Sequence, residues 1–102
     1  VALDRLTTSS ATYGTVVSYT VPAGKAFLLA ALEIACSDYA LGQFRVTIAG
    51  VVQFTDEKLQ TTFNPQFGNA HLAAGAVVLI EAKSDGATSI DVDGAIEGKL
   101  VG

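Results

Sequence analysis

The nearest approach to a chemical motif in this chain is Asp91-Val92-Asp93-Gly94, with Glu97 just beyond it. On an extended segment, residues two apart share a face, so Asp91 and Asp93 can reach one cation together. Calcium asks for about six to eight oxygens, and a helix-loop-helix calcium site spaces its ligands over a longer ladder than this one. The same residues suit a solvated strand face whose charges discourage edge pairing. We therefore expect no metal and no cofactor. His71 stands alone, without a second His or Cys at ligand spacing. A catalytic triad would need a nucleophile and an orienting carboxylate converging on it, and no such elbow is visible. Asp56-Glu57 and the pair Glu33 and Glu81 are carboxylates of the kind glycosidases use. Nothing in their spacing favours that role over surface charge, and 102 residues leave little room for a sugar cleft. Cys36 is the one cysteine, so no internal disulfide forms. It falls in phase with Leu28, Leu32 and Ile34, as an inert buried thiol would. No catalytic residue is expected, and the chain does not read as an enzyme.

Three aromatic residues in expected loops, Tyr39, Phe63 and Phe67, carry the remaining binding potential. As anchors they would pack on the rim of the fold. As a platform they would stack on sugar rings, with an apolar face and a polar tip suited to that work.

The elements that hold these residues are organised around Val21-Pro22-Ala23-Gly24-Lys25. Pro22 fixes its own φ at about −65° and pushes Val21 to extended geometry. Gly24 takes positive φ without steric cost. The chain thus enters extended through Thr15 to Thr20, turns, and leaves in the apolar run Ala26 to Cys36, which predicts a hairpin or a corner. That run has good helix formers, but at helical period it is apolar all round. At period two, Leu28, Ala30, Leu32, Ile34 and Cys36 share one apolar face. With turn chemistry on its flank and β patterning elsewhere, it is expected as a strand.

Gln43 to Ile48 alternates, with Phe44, Val46 and Ile48 inward, and Ala49-Gly50 turns it back into Val51 to Phe54 as a β-hairpin. Residues 56–62 are polar and have room for a short helical turn, and Phe63 to Gly68 reads as a loop with Asn-Pro turn chemistry. Ala76 to Ala82 is a strand, Asp85-Gly86 a hairpin turn signal, and Ala87 to Asp93 and Ala95 to Val101 are closing strands interrupted at Gly94. The expected core is Leu28, Leu32, Ile34, Phe44, Val46, Ile48, Val78, Ile80, Ile90 and Val92. Seven to eight short strands with Gly-marked turns predict an all-β protein, an antiparallel β-sandwich of jelly-roll-like form.

Bulk properties narrow the partners. Half of the chain is hydrophobic and 16% is charged, with ten Gly and two Pro, which is the composition of an ordered, turn-rich domain. Net charge is −4, and the six cationic residues are scattered singly. A nucleic-acid binder needs clustered Lys and Arg to displace counterions, so neither nucleic acid nor an anionic membrane is expected. No run approaches the length of a membrane span, and no signal peptide is visible. High hydrophobicity in a chain this small suits either a rich core or a surface reserved for a partner.

The order of the turn motifs resembles a known family. Tyr-Thr-Val-Pro-Ala-Gly-Lys leads into a long apolar strand, followed by a Val-Thr-Ile-Ala-Gly hairpin and Leu-Ala-Ala-Gly-Ala-Val-Val. Ser-Asp-Gly-Ala-Thr-Ser and a closing Gly-Ala-Ile-Glu-Gly-Lys-Leu-Val complete the series. From Tyr13 to Val101 this resembles the small jelly-roll decoration (cement) proteins of tailed-bacteriophage capsids and related head-fibre or tail modules. The resemblance implies a homotrimer on the outer capsid surface of the virion, clamping neighbouring major capsid proteins, with no catalytic residues. A glycan- or receptor-binding module of a head fibre or tail tip is the alternative.

The expected division is an N-terminal arm over residues 1–12 and a β-sandwich domain over residues 13–102. Val1 to Ser10 reads as an extended arm or a first edge strand. Leu3 and Leu6 would be exposed on a free arm, so it is expected to pack, over Val1 to Thr8, against an adjacent chain. The expected interaction residues are Leu3, Leu6, Tyr39, Phe63 and Phe67.

Overall fold

The computed structural model describes residues 2–102; Val1, the first residue of the expected arm, lies outside the described residues. Eight strands follow in order: β1 (Ala2–Thr8), β2 (Gly14–Thr20), β3 (Ala26–Cys36), β4 (Gln43–Ile48), β5 (Val51–Glu57), β6 (Gln66–Leu72), β7 (Val77–Lys83) and β8 (Ile90–Val101). They form two four-stranded sheets, β1-β8-β3-β6 and β2-β7-β4-β5, antiparallel at every pairing. This is the strand order of a jelly roll, in which the chain crosses from sheet to sheet and closes one sandwich.

The turn at residues 21–25 is a corner between the sheets, since β2 and β3 lie in different ones. Gly24 has a φ of 77°, and the Lys25 amide donates to the Pro22 carbonyl at 3.2 Å. Val21 is 1% exposed. It exchanges backbone hydrogen bonds with the next turn, donating to Ala76 O and accepting from Gly75 N, both at 2.9 Å. The loop at Asp85-Gly86 also crosses between sheets, from β7 to β8, and is not the hairpin expected of it. Asp85 holds it by accepting from the amides of Ala87 and Thr88 at 2.9 and 2.7 Å. Consecutive strands pair only at β4–β5, where Ala49 and Gly50 both have positive φ, as a tight hairpin turn demands.

The core fills the space between the sheets. Phe27, Leu29, Leu32, Ile34, Phe44, Val46, Val78, Ile80, Val92 and Ile96 are fully buried. Of the ten expected core residues, Leu28 alone is not buried. The reason is a bulge in β3: Leu29 pairs with Gly98 and Ala31 with Glu97, so Ala30 is an extra residue. A bulge reverses the phase of alternation. Leu32 and Ile34 keep the expected inward phase, while Phe27 and Leu29 take the places expected of Leu28 and Ala30. A second bulge in β2 makes Val16 extra between Thr15 and Val17, and both valines are buried.

Gly94 does not interrupt the last strand: β8 runs unbroken from Ile90 to Val101. Its glycines answer the two bulges instead. A Cβ on Gly94 would lie 2.9 Å from Val17 Cγ1 and 3.0 Å from Val16 Cγ1, and one on Gly98 would lie 2.2 Å from the Leu28 carbonyl oxygen. The expected helical turn at 56–62 is absent, because β5 continues through Asp56 to Glu57. The expected loop ends earlier than Gly68, because β6 begins at Gln66. The first strand is the edge-strand alternative for the N-terminus, paired with β8 from Ala2↔Ile96 to Thr8↔Ile90.

Candidate interaction surface

Strand β1 separates the two leucines expected to meet a partner. Leu6 lies opposite the fully buried Val92 and packs against the core. Leu3 points outward and is 79% exposed. The strand is fastened to its own sheet: Arg5 Nε and Nη2 donate to Asp93 Oδ1 and Oδ2 at 2.6 and 2.9 Å. Thr7 Oγ1 donates to Asp91 Oδ1 at 2.7 Å. The hydrogen bond and charge of Arg5 hold the Asp93 carboxyl below the usual carboxylate range. Of the two leucines expected to meet an adjacent chain, Leu3 alone is left in solvent. The aspartates considered for a cation spend their oxygens on β1, and no group of three or more His, Cys, Asp or Glu gathers at metal distance among the described residues.

The aromatics divide. Phe63 exchanges both backbone hydrogen bonds with Ile34, at 2.8 and 2.9 Å, and meets Phe54 edge to face at 5.5 Å between centroids. It is an anchor that straps the segment between β5 and β6 onto β3. Phe67 lies on β6, half-buried against the core. Tyr39 lines an open concavity of about 470 Å³ with Ala40, Lys58, Leu59 and Gln60. Phe63 lines a neighbouring one of about 290 Å³ with Phe54, Glu57 and Leu59. Leu59 is shared, so the fold brings Tyr39 and Phe63 to adjoining hollows and leaves Phe67 out of both.

Of the other groups weighed for chemistry, His71 is exposed on β6 opposite Leu28. Glu33 is exposed on β3, and Glu81 is bound to Arg45. Cys36 is half-buried, its Sγ donating to Asp38 O at 3.3 Å, and burial pushes its thiol pKa up.

Two features escape a reading of the sequence. The first is a polar cluster centred on Tyr13. Its ring lies under Arg45 at 4.3 Å and Lys83 at 4.6 Å, a cation–π arrangement. Its hydroxyl donates to Asp56 Oδ1 at 2.6 Å and accepts from the Asp56 amide at 2.8 Å. Arg45 Nε and Nη2 donate to Glu81 at 2.8 and 3.0 Å, and Lys83 Nζ lies 2.9 Å from Asp56. The clamp holds Asp56 at a φ of 52°, the left-handed region, at the end of the edge strand β5. Alternation places Arg45, Glu81 and Lys83 outward, but only the pairing of β4 with β7 shows that they meet. The second feature is the exposure of Val51 at 63% and Val52 at 52%, both on β5.

No family profile, no curated protein and no solved structure matches this chain.

Proposed function

We propose that the protein is a structural virion component, a decoration or cement protein. It binds the outside of a phage head as a homotrimer and stabilises contacts between major capsid proteins. The observation that carries this reading is where the exposed apolar side chains fall. Leu3 is on β1 and Val51 and Val52 are on β5, both edge strands, and Leu100, 41% exposed, is on β8 beyond the end of its pairing with β1. Single exposed apolar residues are ordinary, but unpaired edges that carry them are normally covered. A partner's surface supplies that cover, and the closed sandwich behind it supplies a rigid body with which to clamp. The jelly-roll order and the turn series from Tyr13 to Val101 support the same reading.

The adjoining hollows at Tyr39 and Phe63 favour a second reading, a glycan- or receptor-binding module of a head fibre or tail tip. An aromatic ring beside Lys58 and Gln60 offers the stacking and hydrogen bonding that sugars take. Electron cryomicroscopy of empty heads incubated with the purified protein separates the two. Three-lobed density bridging capsid subunits is expected. Undecorated heads, together with glycan-array binding lost in Tyr39→Ala, would replace the first reading with the second.

A further inference from the structure

Strand β5 is an edge of its sheet and carries two exposed valines, yet its pairing with β4 slips twice. Val46 lies opposite Phe54 and Thr47 opposite Val52, so Gln53 is extra. Phe44 lies opposite Glu57, so Thr55 and Asp56 share the place facing Arg45. Each bulge bends the strand out of the straight geometry that a further strand would need. The first is held locally, by Gln53 Nε2 donating to Val51 O at 3.2 Å. The second needs more, because Asp56 has a φ of 52°, and a residue with a side chain keeps that conformation only where its surroundings impose it. Tyr13 imposes it. This residue stands just before β2, at the opposite edge of the sheet. Its side chain crosses β7 and β4, beneath Lys83 and Arg45, to reach β5. There the hydroxyl accepts from the Asp56 amide at 2.8 Å and donates to the Asp56 carboxylate at 2.6 Å.

We propose that Tyr13 is a latch on the β5 edge: by fixing the Asp56 bulge it closes that edge to strand pairing, and without its hydroxyl β5 straightens and pairs with a second copy. The Asp56 amide, spent on the phenol, is a donor withheld from any strand laid beside β5. Once the strand is straight, Val51 and Val52 give the pairing apolar side chains to bury. The latch acts within one chain, whatever the number of copies in the assembly.

The test compares the full chain with Tyr13→Phe by sedimentation velocity at matched micromolar concentration, after circular dichroism and a thermal melt of each. Tyr13→Phe keeps the ring beneath the two cations and removes the hydroxyl alone. Asp56→Thr opens the bulge by a second route, since a β-branched residue is a poor fit to positive φ; if one variant unfolds, the other decides. Each should associate beyond the wild-type species, whatever its size, more than about tenfold more strongly. Backbone NMR of Tyr13→Phe should show residue 56 leaving the left-handed region and hydrogen exchange slowing over residues 51–55. Adding Val52→Lys to either variant should restore wild-type sedimentation, because a lysine on an edge opposes pairing. Tyr13→Phe that sediments as the wild type, or that keeps the conformation of Asp56, overturns the latch. Association that persists with Val52→Lys overturns it as well, because the contact then does not run through β5.

Discussion

Tyr13 shows how one side chain can hold an edge. Its hydroxyl is both donor to the Asp56 carboxylate and acceptor from the Asp56 amide, so it fixes a residue whose φ is unfavourable for any side chain. That hydrogen bond, with Lys83 next, holds the Asp56 carboxyl below the usual carboxylate range. Asp85 is lowered by the amides of Thr88 and Ala87, and Asp93 by Arg5. A carboxyl with a lower pKa folded than unfolded stabilises the fold fully above its unfolded value, about 3.9 for Asp. That contribution is lost as pH falls through the lower folded value. The three lie at the surface, so each contribution is modest. Stability should therefore hold through neutral and mildly acid pH and decline below about pH 4. Tyr13→Phe should raise the Asp56 titration midpoint toward its ordinary value, read by NMR of the carboxyl carbon. An unchanged midpoint would mean that the hydroxyl does not hold Asp56.

At the scale of elements, alternation located most of the core but could not locate the bulges. Phe44, Val46, Ile48, Val78 and Ile80 read correctly because β4 and β7 are regular along their pairing. The inward phase of β3 reverses at Ala30, and a run of Phe, Leu and Ala looks equally apolar in either phase. The signal that could have marked the bulges lay on another strand. Gly94 and Gly98 sit where β8 faces the paired valines and the displaced Leu28 carbonyl, and a glycine inside a strand often marks close backbone approach. β6 was hidden for a different reason: Gly68 and Asn69 both have positive φ within it, which reads as a turn.

Two substitutions test this packing by urea unfolding. Ile34→Ala empties a fully buried site and should cost about 2–5 kcal/mol. Gly98→Ala places a methyl 2.2 Å from a backbone oxygen; the strands must part, so it should cost at least the about 1–3 kcal/mol of ordinary overpacking. A Gly98→Ala variant as stable as the wild type would contradict the β3 bulge.

For the molecule as a whole, the fold class was legible because turn chemistry and strand spacing are local. Its topology was not, because only β4 and β5 pair as neighbours in sequence and every other pairing closes over a long stretch of chain. The expected interaction residues fared according to the same distinction. Leu6 and Phe63 look exposed in isolation, and each is drawn onto the sandwich by a distant partner, Val92 or Ile34. Leu3 stays in solvent, and Tyr39 borders an open hollow. Val51 and Val52 remain exposed because β5 ends its sheet, which no local pattern reveals. Apolar side chains thus stand in solvent on two edge strands, Leu3 on β1 and Val51 and Val52 on β5, and at Leu100 near the end of β8.

The central claim is that this chain works by assembling with itself and onto a capsid. The most direct measurement of the proposed assembly is the mass of the chain in solution, by analytical ultracentrifugation, alone and mixed with empty phage heads. A mass three times that of one chain, with the trimer moving into the heavy capsid fraction on mixing, is the predicted result. A monomer that stays in the light fraction beside bare heads would contradict it.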